Sequence, residues 1–203
     1  MSKNIIFYFT GTGNSLKISK DVASIIGDCK ISSIFAYNES ENLDNYEKIG
    51  FICPVYGLSI PNLVYEFISR INLPKGKYYF CIITYADNPF ASVAVIQKLL
   101  NKKNVKLNNG FTVRMVNNYY AAEKLSVNYD KIIQNAQIQI NNIGQKIKVM
   151  ENKRIFKNNP FTILSCFKNN LYKSLDKHFI ISEECIGCGN CCKSCPEKKY
   201  DGK

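Results

Sequence analysis

Strand-like and helical patterns alternate along the first 150 residues of this 203-residue chain. Asn4 to Phe9 (N-I-I-F-Y-F) is a continuous apolar run, the mark of a strand buried on both faces of a parallel sheet. Ile18, Val22, Ile25 and Ile26 then recur at helical spacing, and Gly27 closes that helix. Further strands are predicted over Cys29–Tyr37, Lys48–Cys53, Tyr78–Tyr85 and Gly110–Val116. A second helix begins at Pro61, with Leu63, Val64, Phe67 and Ile68 as its apolar face. A third covers Phe90–Leu100. A fourth covers Val127–Ile147, with Ile133, Ala136, Ile140, Ile143 and Ile147 on one stripe. Such alternation predicts a three-layer α/β domain around a parallel sheet.

The expected organisation is a domain over 1–149, a basic linker over 150–179 and a cysteine-rich appendage over 180–203. Ile163, Phe167, Leu171 and Leu175 mark an amphipathic helix in the linker, read as packing on the first domain rather than on a membrane surface. No apolar run approaches the ~20 residues a membrane span needs. The N-terminal apolar run breaks too soon into T-G-T-G to be a signal peptide. Nine cysteines, five of them between Cys185 and Cys195, are metal spacing rather than a disulfide framework. A reducing cytoplasm fits that usage.

Net charge is +11, and the stretch from Lys146 to Lys177 holds eight basic and two acidic residues. The plain reading is a solvated linker face. The functional one is a docking face for an acidic protein, or a nucleic-acid patch. No nucleic-acid motif accompanies the charge, so a nucleic-acid partner is not expected.

Cys185, Cys188, Cys191 and Cys195 stand as C-x₂-C-x₂-C-x₃-C-P, the iron–sulfur run of bacterial ferredoxins. Gly187 and Gly189 let the loop curl toward a cluster, and Pro196 stops it continuing as a helix interior. A zinc site would more often use two separated cysteine pairs. The predicted metal group is therefore a 4Fe–4S cluster on these four thiolates. Cys192 adjoins Cys191 and is read as a non-ligand, and Cys166 is a remote alternative ligand. His178 is read as a linker residue, and Cys29, Cys53 and Cys81 as core thiols. In two-cluster ferredoxins the fourth cysteine of such a run serves the other cluster. No second run follows here, so the expectation is a piece of a longer protein or an unusual site, holding a cluster poorly by itself.

Thr10-Gly11-Thr12-Gly13-Asn14-Ser15 joins the first strand to the first helix. Leu16 replaces the third glycine of a dinucleotide fingerprint, and no G-K-[ST] ends the loop as a nucleotide-triphosphate loop requires. What remains is a small nest. Backbone amides and the oxygens of Thr10, Thr12 and Ser15 can surround a phosphate at a helix N-terminus. The loops at 10–15, 54–61 and 85–91 each follow a strand and converge at the carboxyl edge of a parallel sheet.

The first loop resembles that of the flavodoxin family, which reads like T-x-T-G-N-T or S and holds the phosphate of FMN. Pro54-Val55-Tyr56-Gly57 and Pro61 look like the P-V-Y-G…P segment of clostridial-type flavodoxin-like domains fused to ferredoxin modules. The resemblance covers nearly the whole chain. It departs in lacking a second cysteine run and in its basic charge. It implies a doubly wound five-stranded parallel sheet of order 2-1-3-4-5 with a ferredoxin-type appendage, and FMN between the first and third strands. It also implies an intracellular electron carrier, with Thr10, Gly11, Thr12, Gly13, Asn14, Ser15, Pro54, Val55, Tyr56 and Gly57 around FMN. Tyr85, at the end of its strand, is expected beside the ring. The alternatives are an FMN-dependent NAD(P)H or quinone reductase, a zinc-bearing interaction protein and a basic nucleic-acid binder.

Overall fold

The computed structural model describes residues 2–117, 128–153 and 182–195. Five strands form one sheet: β1 (Asn4–Tyr8), β2 (Cys29–Ser33), β3 (Lys48–Pro54), β4 (Tyr78–Tyr85) and β5 (Leu107–Arg114). All pairings are parallel, and the order is β2-β1-β3-β4-β5, as the resemblance implied.

Alternation along each strand assigns its residues to two faces. Ile5 and Phe7 of β1, Phe51 and Cys53 of β3, and Cys81 and Ile83 of β4 share one buried layer with α2 (Asn62–Arg70) and α3 (Ser92–Lys102). Ile6, Ile52, Phe80 and Ile82 share the other with α1 (Asn14–Ile26) and α4 (Tyr129–Lys148). Phe80 is opposite Gly50 in register, and its ring takes the space a Cβ at 50 would need. Fully burying a side chain such as Phe7, Phe51 or Phe80 is worth about 1.5–3 kcal/mol. A surface pair such as Lys17–Asp21 contributes less than about 1 kcal/mol, so the two apolar layers dominate.

Element ends differ from expectation where polar side chains intervene. β2 stops at Ser33 rather than Tyr37, because the Ser33 hydroxyl accepts from the Phe35 amide (3.3 Å) and its carbonyl from the Ala36 amide (3.0 Å). β5 starts at Leu107, before Gly110. Asn108 takes part through its side chain, whose Oδ1 accepts from the Tyr79 amide at 2.8 Å beside a register shift. α3 starts at Ser92, since Phe90 has φ 46°. α4 starts at Tyr129, with Asn128 Oδ1 capping the Lys131 amide at 2.9 Å. Ile133, expected on the core stripe, is 45% exposed. Cys53 and Cys81 are core thiols, but Cys29 is only half-buried. Burial first, and then the charge of Asp28, pushes Cys29 up to about 12.

Beyond α4 the chain folds back on the amino edge of the sheet. The Glu151 carbonyl accepts from Tyr78 Oη (2.6 Å) and Asn109 Nδ2 (3.0 Å), and the Lys153 amide donates to the Asn108 carbonyl (3.0 Å). A short helix, α5 (Asn190–Ser194), lies within the cysteine run. The predicted linker helix, Cys166, His178 and Pro196 lie outside the described residues. Among the described residues no helix is long and apolar enough to cross a membrane.

Candidate cofactor-binding site

The loops after β1, β3 and β4 meet at the carboxyl edge, around the point where the winding reverses between β1 and β3. Gly13 has φ 98° and ψ −20° and stands as the N-cap of α1, and no side chain caps that end. L-residues rarely adopt that backbone, so the glycine is what lets the loop enter the helix this way. The first-turn amides of a 13-residue helix therefore face the loop, with the positive end of its dipole behind them. Thr10 Oγ1 accepts from the Gly13 amide at 2.9 Å, which leaves the Thr10 hydroxyl proton for another acceptor. Gly11, Thr12 and Gly13 are exposed.

The other two loop side chains engage the scaffold. Asn14 Nδ2 donates to the Val116 carbonyl at 3.1 Å, beyond β5. Ser15 is buried, and its Oγ lies 3.0 Å from Thr84 Oγ1 of β4. The hydroxyl expected to face a phosphate thus points in this structure at the sheet.

Pro54 pairs with Thr84 in register, and the Val55 amide donates to the Thr84 carbonyl at 2.9 Å. Tyr56 and Ser59 close a tight turn, with the Tyr56 amide 2.9 Å from the Ser59 carbonyl and Gly57 at φ 66°. That turn brings Tyr56 to the first loop. Its ring meets Phe9 edge-on at 5.9 Å, and its hydroxyl lies against Gly11. Burial pushes the Tyr56 phenol up. Tyr85 is half-buried at the end of β4, where its carbonyl accepts from the Met115 amide at 2.8 Å. Sequence reading missed Phe35, which is 41% exposed and packs edge-on against Phe9 at 6.0 Å. Phe35 falls inside the strand predicted over Cys29–Tyr37, and the Ser33 turn is what brings it to this edge.

Residues 5–115, more than half of the chain, match a sequence family described as the flavodoxin domain. The chain belongs to that family. Its flavodoxin domain is similar to a flavodoxin from the Archaea (TM-score 0.51, 15% identity, covering 71% of this chain and 98% of that one). It is likewise similar to a Fusobacterium nucleatum flavodoxin bound to flavin mononucleotide (TM-score 0.51, 15% identity, 75% and 100%). Oxidised flavodoxin 1 from Bacillus cereus is a further relative in fold (TM-score 0.50, 16% identity, 71% and 98%). At these identities the likeness shows the shared fold. No curated protein matches the chain.

The cysteine run gains less support than the flavodoxin domain. Cys185, Cys188 and Cys191 are exposed and Cys195 is half-buried. Gly187 and Gly189 have φ 64° and 69° and give the curled loop that the spacing implies. Among the described residues, however, no three Cys, His, Asp or Glu side chains converge on one metal position. The thiols of Cys191 and Cys192, the latter the expected non-ligand, lie 3.8 Å apart.

Proposed function

We propose that the flavodoxin domain holds FMN and serves as an electron carrier in the cytoplasm. The observation that carries this reading is the uncapped, glycine-lined start of α1 at the reversal of the sheet. First-turn amides and the Thr10 and Thr12 hydroxyls would hold the phosphate. The exposed backbone of Gly11 and Gly13 gives it room. The half-exposed ring of Tyr56 and the half-buried ring of Tyr85 flank the same edge and offer aromatic faces to a flat ring, and Pro54, Val55 and Gly57 shape the wall between them. FMN, when bound, exchanges electrons singly or in pairs. The protein's part is to bind, to orient and to keep water off one face. Tyr56, braced by Phe9, would do that. The Fusobacterium nucleatum flavodoxin with its flavin mononucleotide supports the reading at the level of fold.

The Cys185, Cys188, Cys191 and Cys195 run enters the same proposal as a 4Fe–4S site, on its spacing. The proposed partner is an acidic redox protein. Lys146, Lys148 and Lys153 of the basic stretch lie at or near the amino edge of the sheet, where Lys75, Lys102 and Lys106 are also exposed.

Titration of flavin-free protein with FMN tests the main claim. Uptake of one FMN per chain with quenched flavin fluorescence is expected, and no uptake overturns the claim. Iron and sulfide measured after anaerobic reconstitution test the cysteine run.

A further inference from the structure

We infer that Thr84 is a positioning residue for phosphate recognition: from β4 its hydroxyl holds Ser15, and with it the first turn of α1, in the shape a phosphate requires. The inference rests on the FMN reading and adds to it a residue that none of the three loops contains.

Thr84 lies on the face of β4 that carries Phe80 and Ile82, packed against the layer of α1. It is 3% exposed, Ser15 is 1% and Ser19 is 0%. In a layer of isoleucine, valine and phenylalanine, hydroxyls at these sites are unusual. A buried hydroxyl costs free energy unless it is paired, and valine would fill the volume of Thr84 without that need. Here the hydroxyls pair with one another. Thr84 Oγ1 and Ser15 Oγ are 3.0 Å apart, and Ser19 Oγ donates to the Ser15 carbonyl at 2.8 Å. Ser15 is thus gripped at both its side chain and its carbonyl. Its amide is one of the first-turn donors at the uncapped end of α1.

The proton count adds to this. The Thr84–Ser15 pair has two hydroxyl protons and uses one between its own oxygens. The other remains for a third oxygen. The main chain of Thr84 is equally engaged, since its carbonyl accepts from Val55 as the second loop begins. One buried residue therefore ties the phosphate loop to the loop that carries Tyr56.

The test is a comparison of FMN with riboflavin, which has the same ring and no phosphate. Dissociation constants come from flavin fluorescence for wild type, Thr84→Val, Thr84→Ser, Ser15→Ala and Ser15→Ala/Thr84→Val, each checked for native circular dichroism. Thr84→Val is expected to weaken FMN on the order of tenfold, the scale of one lost hydrogen bond. It should leave riboflavin binding unchanged. Thr84→Ser, which restores the hydroxyl, should bind FMN as wild type does. Adding Thr84→Val to Ser15→Ala should cost nothing more, because Thr84 acts through Ser15. The inference is overturned if Thr84→Val leaves FMN affinity alone, weakens both flavins equally, or acts undiminished without Ser15. A wild-type chain that binds neither flavin overturns the FMN reading itself.

Discussion

The Tyr56 hydroxyl lies against Gly11, and a Cβ at position 11 would overlap it. Gly11→Ala should therefore push the Tyr56 ring off the first loop. Gly11 is exposed, so stability should change by less than about 1 kcal/mol while FMN affinity falls. Combining it with Tyr56→Phe removes the clashing atom, and that double variant should bind FMN more tightly than Gly11→Ala does.

Gly13→Val addresses the backbone instead of the neighbour. Apart from its chain neighbours nothing lies within 4 Å of where its Cβ would be, so the cost is conformational, about 1–2 kcal/mol at a left-handed position. The expected outcome is loss of FMN with the far-ultraviolet spectrum of the fold retained. Full flavin content would mean that the loop tolerates another entry into α1.

The connection between β2 and β3 makes acid stability depend on Glu41. Burial by itself would push this carboxyl up, but hydrogen bonds from Lys30 (2.7 Å) and Tyr46, with the Lys30 charge, outweigh it and hold it low. A carboxylate held low contributes stability above its ordinary range and loses it as pH falls through its folded value. Tyr46, raised by burial and then by Glu41, keeps its contribution until strong alkali. Between about pH 7 and pH 3 wild type should lose roughly 1 kcal/mol more than Glu41→Gln, because the pair is partly solvated. Urea unfolding at the two pH values checks this.

Tyr78→Phe removes one of two donors to the Glu151 carbonyl. A loss of about 1 kcal/mol, or about 2–4 °C in Tm, is expected. Asn109→Ala removes the other. Because the donors share an acceptor, the double variant should lose a different amount from the sum of the two.

Attraction of an acidic partner by the basic stretch should make its association rate fall as salt rises, since the Debye length shrinks from about 10 Å at 0.1 M to about 3 Å at 1 M. Stopped-flow rates with an acidic redox protein across that range check this. A rate indifferent to salt would leave the lysines as a solvated surface.

The sheet is legible because β1, β3 and β4 are apolar runs buried on both faces, and the strand-to-helix turn over residues 10–15 because its glycines and hydroxyls follow such a run. Ends of elements are not. Ser33 and Asn108 let side chains do main-chain work, which a hydrophobic pattern does not register. Phe35 was invisible as a site residue because nothing in a strand-like run announces that the strand has already ended. The role of Ser15 was half legible. A hydroxyl beside a phosphate loop predicts a ligand contact, whereas its partner, Thr84, is 69 residues away and reads as an ordinary strand residue.

The Ser33 stop has a further effect, on how these molecules meet one another. β2 forms one border of the sheet, and it is five residues long with Lys30 exposed within it. A strand that short and charged is a poor template for a strand from a neighbouring copy. At the other border, the start of β5 is occupied by the returning Asn152 and Lys153. Serine at one margin and asparagine at the other thus limit the strand edge that a neighbouring copy could extend.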